Sequence, residues 1–480
     1  MELVAKGAQD IYLTGNPNVT YFKSIFKRHT NFSIESIQQS FTGDLTFGKR
    51  INCTIKRTGD LLAGISLEID LPAISGKRTG TIMKWTNSIG HSIINTVEIE
   101  IGGQIIDRQY GEWMEIWSEL TISGGHLNGF NTMIGKSVNE QAVDANKKVK
   151  LIIPLQFWFC RNIGLAIPLV ALQYHEVKLY LDLKPFEQCW KKEVKRYYVE
   201  TNSSNQNKVD IVSGEGEFPY ETVFKTEDVF ANQKFYWEID GKEEIVSTSL
   251  GGSVTEATQI TLSSNTVSGR KGYAYLQTDE PDKEYVIEDI RIFCEYIFLD
   301  TNERKYFAQT QHIYLIEQLQ FNGNSSYLLS QESSKVQLEF NHPCKELFWV
   351  SQMDLSKTFN HNFNFSDKID ISYGDNPIVD CLLHINGQER FSVRNANHFR
   401  YEIPYRRHTR IPENFIYVYS FSLKPEQLQP SGTCNFSRLD SSELIFNFKS
   451  KLLASKVRVY ALSYNILNVK NGMGGVAYSN

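Results

Sequence analysis

The chain has 480 residues, 41 % hydrophobic and 12 % aromatic, with a formal net charge of −5. That length suits two to four domains with ample apolar mass for buried cores, and the near-neutral balance gives no sign of direct nucleic-acid binding. No uninterrupted apolar run of about 18 residues occurs, so no membrane-crossing helix is expected, and residues 1–7 lack the apolar stretch of a secretory signal.

Near the start, Lys23, Lys27, Arg28 and His29 interleave with Tyr21, Phe22, Ile25 and Phe26. The spacing predicts a short amphipathic helix, serving as a docking arm for an acidic partner or membrane surface, or as a cap on the first sheet. Strand signals then dominate: short alternating runs such as residues 65–69, 177–181 and 415–421, separated by Gly, Asn, Asp and Pro. Helical pattern is scarce. Residues 111–120 carry Trp113, Ile116, Trp117 and Leu120 on one face. Residues 151–172, broken by Pro154, Gln156, Arg161, Asn162 and Pro168, read as two buried strands and a turn.

From Trp190 to about Asp282 the chain turns polar, with strand-like pieces such as residues 235–239. It reads as a long surface insertion between the last two strands of the first half, with some β structure of its own. A second helix is expected over residues 302–311, capped by Asp300 or Thr301 and joining the two halves. Residues 471–475 are glycine-rich and read as an extended arm.

The motifs repeat in order. Phe41-Thr42-Gly43 and Phe321-Asn322-Gly323 each close an alternating run, and residues 57–62 return as 343–348. Residues 97–104 return as 382–388, and 291–297 as 458–464. Two similar domains differing by insertions follow. Each half supplies roughly eight strands with one apolar face, the requirement for a sandwich or jelly roll.

Chemistry is sparse. Gly129-Phe130-Asn131-Thr132-Met133-Ile134-Gly135-Lys136-Ser137 looks like a phosphate loop but has five residues between glycines rather than four, so a plain loop is expected. The ten histidines, among them His175, His398 and His408, form no H-x-H or H-E-x-x-H motif. The carboxylate pairs Asp279-Glu280 and Glu243-Glu244 read as solvated. No catalytic, cofactor-binding or metal residue is assigned, and no enzyme is expected. Cysteines 53, 160, 189, 294, 344, 381 and 434 are scattered and read as small buried hydrophobes made in a reducing compartment. Of seven N-x-S/T sequons only Asn202 is a plausible acceptor. In residues 429–438, Pro430 and Gly432 should set a sharp loop, with Asn435 and Arg438 tying backbone groups between strands, and the segment is a candidate contact between subunits.

The opening Gly7-Ala8-Gln9-Asp10-Ile11-Tyr12-Leu13-Thr14-Gly15-Asn16-Pro17, with Arg28-His29-Thr30-Asn31-Phe32, resembles that of the major capsid proteins of nucleocytoplasmic large DNA viruses. The likeness continues through residues 164–177, 295–309, 340–343, 386–391 and 429–438, and into Gly472-Met473-Gly474-Gly475. The resemblance implies an all-β chain of two consecutive eight-stranded antiparallel jelly rolls with few short helices. It divides as an arm (1–28), a first jelly roll (29–300, with the insertion at about 190–283), a connector helix (301–311) and a second jelly roll with a C-terminal arm (312–480). It also implies a structural role in a virion shell: homotrimers forming pseudo-hexagonal capsomers on an icosahedral lattice, made in the host cytoplasm. Expected partners are the chain itself, neighbouring capsomers, minor capsid and penton proteins, and an internal membrane met through the N-terminal arm. No cofactor is implied. The insertion looks longer than the family's connection and is expected as an outward tower. The competing reading is a carbohydrate-binding jelly roll using Tyr197-Tyr198 and Phe235-Tyr236-Trp237 as stacking surfaces.

Overall fold

The structure, a computed structural model, describes residues 7–78, 82–137, 144–212, 220–225, 228–238, 242–250, 256–266, 269–327, 333–449 and 454–478. Strands form where apolar residues alternate with polar ones, because a strand's side chains point to opposite faces in turn. The first set is β1 (Phe32–Gln39), β2 (Arg50–Thr54), β3 (Leu61–Leu71), β4 (Ile94–Ile101), β5 (Gln104–Tyr110), β6 (Val149–Pro154) and β7 (Val177–Leu183). In β3, Ile65, Leu67, Ile69 and Leu71 are buried while Ser66, Glu68 and Asp70 are half-buried. Helices α1 (Gly111–Thr121) and α2 (Gly124–Ile134) lie between β5 and β6.

After β7 the insertion builds its own antiparallel sheet from β8 (Val194–Thr201), β9 (Lys208–Ile211), β10 (Lys234–Trp237), β11 (Glu243–Ile245), β12 (Gln259–Thr261) and β13 (Lys271–Gln277), in the order β11-β10-β13-β8-β9-β12. Tyr197, Val199, Phe224, Phe235, Trp237 and Leu276 fill a core of its own. The chain then returns as β14 (Asp289–Leu299). Two sheets, β1-β14-β3-β6 (with the two-residue strand Ile167–Pro168 also paired to β3) and the four-stranded β2-β7-β4-β5, face each other across the first core. This is one jelly roll.

Helix α3 (Thr301–Gln309) follows, its N-cap Asp300 accepting from the Asn302 and Glu303 N–H groups. The second set is β15 (His312–Tyr327), β16 (Ser333–Gln337), β17 (Pro343–Met353), β18 (Ile378–Ile385), β19 (Gln388–Glu389), helix α4 (Ile403–Arg407), β20 (Ile416–Ser420), β21 (Ser442–Phe448), β22 (Ser455–Lys470) and β23 (Met473–Val476). Its sheets run β15-β22-β17-β20 and β16-β21-β18-β19, the same order as in the first set. The fold is therefore a double jelly roll, with β23 added beside β22.

The insertion stands at one end, on the β3–β4 connection of the first barrel and the β17–β18 connection of the second. Trp85 bridges Trp190, and Gly76 bridges Pro281. Tyr236 and Tyr275 bury against Met353, Leu355, Phe359 and Ile369. At the opposite end Phe32 of β1 pairs with Leu299, just before α3.

Several local expectations change. Residues 20–31 form no helix and are exposed, so they do not cap the first sheet, and among the described residues of the arm the only helical turn is Ile11–Thr14. Residues 151–172 give one full strand, a helical turn (Trp158–Arg161), a 3-10 turn (Ile163–Leu165) and a two-residue strand (Ile167–Pro168). Asn162 Oδ1 accepts from Gly164 N and starts that 3-10 turn. Phe321 does not close a strand, since β15 runs on to Tyr327 through a bulge after Phe321. Residues 129–134 belong to α2 rather than a loop, and Gly135 closes it in the left-handed region at φ 67°.

Candidate functional site: the seam between the barrels

Helix α1 follows directly from β5 and carries its apolar face across to the second barrel. Trp113, Ile116, Trp117 and Leu120 are all buried in the second barrel's core. The Trp113 ring meets Phe348 edge-on at 5.0 Å, and Tyr110 packs on Phe321 at 5.1 Å. The exchange is reciprocal: Ile316 of β15 and Leu467 and Val469 of β22 belong to the first barrel's core. Each barrel completes its apolar packing with the other's side chains, and each fully buried side chain of this size contributes roughly 1.5–3 kcal/mol.

The polar face of α1 is equally occupied. Glu112 meets Arg458 and accepts from the Tyr460 hydroxyl at 2.8 Å. Glu115 accepts from Lys136 at 2.8 Å and Ser88 Oγ at 2.9 Å, with His91 Nδ1 at 2.7 Å. Burial would raise the Glu115 carboxyl, but Lys136 and His91 hold it down at about 2. Glu119 accepts from Lys136 at 2.5 Å, from Glu413 N at 2.8 Å and from Asn414 Nδ2 at 3.2 Å, while its carbonyl accepts from Arg410 Nε at 2.7 Å. Buried charges of this kind persist only when every partner is in place.

Strand β15 is bonded to β5 across the seam. Leu319 N donates to Asp107 Oδ1 at 3.0 Å and Gln318 Nε2 donates to Ile106 O. Burial pushes the Asp107 carboxyl up to about 6, against the opposing Leu319 N–H and Gln109 side chain. Glu317 meets Arg161 at 2.8 Å and also contacts Lys345, whose Nζ donates to Pro425 O at 2.6 Å. Strand β23 closes the seam at its far side. Tyr174 N donates to Gly472 O at 2.9 Å, His175 Nδ1 lies 2.9 Å from Gly474 O, and Val476 N donates to Gln104 Oε1 at 3.2 Å. The glycine-rich tail is thus a docked strand, with Gly472 at φ 80° against the Tyr174 ring.

Residues singled out for chemistry take structural places. Lys136 of the phosphate-loop look-alike is buried between two carboxylates. His408 lies between Glu346 at 3.1 Å and Glu426 at 3.0 Å, and His398 Nδ1 lies 2.6 Å from Glu402. Among the described residues no three His, Cys, Asp or Glu side chains could hold a metal together. Asp279 is buried rather than solvated, as is Glu244, while Glu280 pairs with Lys77 at 2.7 Å. Tyr197, Phe235, Tyr236 and Trp237 are buried, so they present no stacking face to a sugar, and Tyr198 packs on Tyr273. Asn202 is engaged with Asp210 and two backbone N–H groups. Gly432 sits at φ 132°, where a Cβ would lie 2.6 Å from Phe421 O. Asn435 caps a local turn by accepting from Ser437 N. Arg438 is exposed and ties no strands among the described residues. The acidic series Glu112, Glu115 and Glu119 was missed, although its i, i+3, i+7 spacing on a helix opposite a Trp-rich face was the available signal.

Fold and seam define a class: a structural double jelly roll whose barrels are fused through exchanged core elements. Residues 20–221 match the family model described as major capsid protein N-terminus, and residues 303–475 match that of large eukaryotic DNA virus major capsid protein. The chain is 34 % identical to the major capsid protein of Phaeocystis pouchetii virus, over 100 % of this chain and 99 % of that protein. It is 35 % identical to that of Pyramimonas orientalis virus, with the same coverage. Among solved structures, the capsid model of PBCV-1 superposes with a TM-score of 0.67 at 27 % identity, covering 96 % of this chain and all of that one. The Faustovirus major capsid protein shares the fold with a TM-score of 0.67 at 13 % identity, covering 97 % of this chain and 94 % of that one. The chain belongs to the major capsid protein family of large eukaryotic DNA viruses, a family of structural proteins rather than enzymes.

Proposed function

We propose that this chain assembles as a homotrimer whose six barrels form a pseudo-hexagonal capsomer, the tile of an icosahedral virion shell. The observation that carries this is the reciprocal exchange of core elements between the barrels. It makes the pair one body, so that a three-fold assembly can fill a six-fold lattice position. The division into an arm (1–28), a first barrel (29–300), a connector (301–311) and a second barrel (312–480) is part of the same reading.

The insertion at about 190–283 is the outward tower. It rests on β-strand connections of both barrels at one end, while the arm enters β1 at the other. The arm, exposed from Ile11 to Asn31, then lies on the inner side, where its aromatic and basic residues meet minor capsid proteins or the internal membrane, and penton proteins join at the vertices. Seven free cysteines support synthesis in the reducing host cytoplasm.

Native mass spectrometry tests the trimer: three chains of 55.2 kDa give about 166 kDa. A chain that stays monomeric at all concentrations and binds glycans instead would overturn it. Cryo-electron microscopy of assembled particles tests the orientation, which fails if the insertion faces the genome.

A further inference from the structure

We infer that the two barrels become covalently joined within the chain. Lys136, Glu119 and Asn414 form a modification site in which Lys136 Nζ bonds Asn414 Cγ as an isopeptide and ammonia leaves. The bond is independent of how copies of the chain assemble.

The three side chains reach the seam from three elements. Gly135 ends α2 in the left-handed region, and Lys136 N bonds back to Asn131 O at 2.8 Å. That reversal brings the Lys136 side chain onto α1, where Nζ lies 2.5 Å from Glu119 Oε1 and 2.8 Å from Glu115 Oε1. Asn414 comes from the second barrel, two residues before β20, and its Nδ2 donates to the same Glu119 Oε1 at 3.2 Å. Amine and amide thus share one carboxylate oxygen, within two hydrogen-bond lengths of each other. Glu119 Oε2 is taken by Glu413 N at 2.8 Å and Asn414 N at 3.3 Å, with Arg410 Nη2 at 3.9 Å. Those partners fix the carboxylate so that Oε1 faces both reactants.

The site is closed to solvent. The Lys136 side chain is 9 % exposed, that of Glu119 1 % and Asn414 4 %. Leu120 and Phe415, next to Glu119 and Asn414 in the chain, are buried too. Keeping water out removes the competing hydrolysis of the amide. Lys136 passes a proton to Glu119 Oε1, and the neutral Nζ attacks Asn414 Cγ. Glu119 returns that proton to Nδ2, the Cγ–Nδ2 bond breaks, and ammonia departs with the second Nζ proton as ammonium. One amide is lost and one is formed, so no oxidant, metal or further reactant is needed. Glu115 does not compete for the proton: against burial, Lys136 and His91 hold its carboxyl at about 2. Burial also opposes the Lys136 charge, but Glu115 and Glu119 hold the ammonium above its ordinary range. Neutral amine is therefore scarce, and the bond forms slowly. Once closed, it keeps residues 136 and 414 together even in the unfolded chain.

Intact-mass measurement of the full chain, fresh and after several days of ageing, is the first test. The bond lowers the mass by about 17 Da, that of ammonia. A succinimide at an Asn-Gly pair such as Asn386-Gly387 gives the same loss, so tryptic peptides decide the place. The aged chain is expected to yield a branched peptide joining the Lys136 and Asn414 segments, uncut after Lys136. Lys136→Arg and Glu119→Gln, with folding checked by thermal melting, are expected to yield no branch. An aged wild type cut after Lys136, with Asn414 in a linear peptide, overturns the bond. A branch that persists in Glu119→Gln overturns the part given to Glu119 and leaves the bond standing. Should either variant misfold, the wild-type peptides alone decide.

Discussion

Arg458 and Glu112, from opposite barrels, meet as a bidentate pair across the seam, Nη2–Oε2 at 2.5 Å and Nε–Oε1 at 2.7 Å. Arg458 also donates to Gln352 Oε1 at 2.8 Å, and Tyr460 donates to Glu112, so every charge is matched. Removing one partner strands the other in a nearly buried site. Glu112→Ala should therefore cost about 3–5 kcal/mol, while the paired change to Glu112→Leu and Arg458→Met should cost much less. Urea denaturation of the three chains reads this; equal losses for single and double variants would refute it.

Asp107 makes the seam pH-dependent. Its carboxyl is pushed up to about 6 from an ordinary 3.8, so between those values the folded chain binds more protons than the unfolded one. Stability at this site is full below pH 3.8, falls as pH rises toward 6, and stays reduced by about 3 kcal/mol above it. Asp107→Asn should flatten that part of the profile and stabilise the chain at pH 7. Denaturation midpoints at pH 4, 5, 6 and 7 measure it, and an unchanged slope would count against the assignment.

His408 works in the opposite sense. Burial opposes its charge, but Glu346 and Glu426 raise it to about 9. Its stabilising contribution is full below pH 6.5 and is lost as pH rises through 9. His408→Gln should destabilise the second barrel by about 3 kcal/mol at pH 6 and by little at pH 10. Titration by NMR gives the value directly; a midpoint below 7 would overturn the reading.

The double fold was legible in the sequence because it rests on local alternation repeated in order, as in Ile65–Ile69 of β3. Helix α1 was legible for the same reason, from Trp113, Ile116, Trp117 and Leu120. Its destination was not. Nothing local says that these residues enter the second barrel's core, because that depends on how barrels stand side by side. The arm misled through its spacing: Tyr21, Phe22, Ile25 and Phe26 fit a helical face, but an isolated helix that short is unstable without something to pack on. The seam's charges escaped notice because Asp107 and Glu317 read as ordinary strand polar residues until another strand buries them.

Gly472 and Gly474 hold β23 in the seam by lacking side chains. Gly472 is at φ 80°, and a Cβ there would lie 2.5 Å from the Tyr174 ring. Gly472→Ala should cost about 1–3 kcal/mol through backbone strain and displacement of that ring. Hydrogen exchange of Tyr174 and Val476 amides should accelerate, while amides in β3 stay protected. Unaltered exchange at both would show that the tail tolerates a side chain.

The insertion should be separable from the barrels. Val194 of β8 and Gln277 of β13 are directly paired, and Thr278 N donates to Glu193 O at 3.0 Å, so the chain leaves and re-enters at one point. The insertion also has a core of its own, with Trp237 and Phe235 fully buried inside it. Replacing residues 195–276 by Asn-Gly, a two-residue hairpin turn, should therefore keep both barrels folded. The cost should sit at the foot, where Met353, Leu355 and Phe359 lose the cover of Tyr236 and Tyr275. A loss of a few kcal/mol is expected from that exposed apolar area. Phe359→Ser in the shortened chain should cost less than in the full one, because there the ring is already partly uncovered. Calorimetry of the four chains measures the coupling, and a shortened chain without a cooperative melt would show instead that the barrels need the insertion to fold.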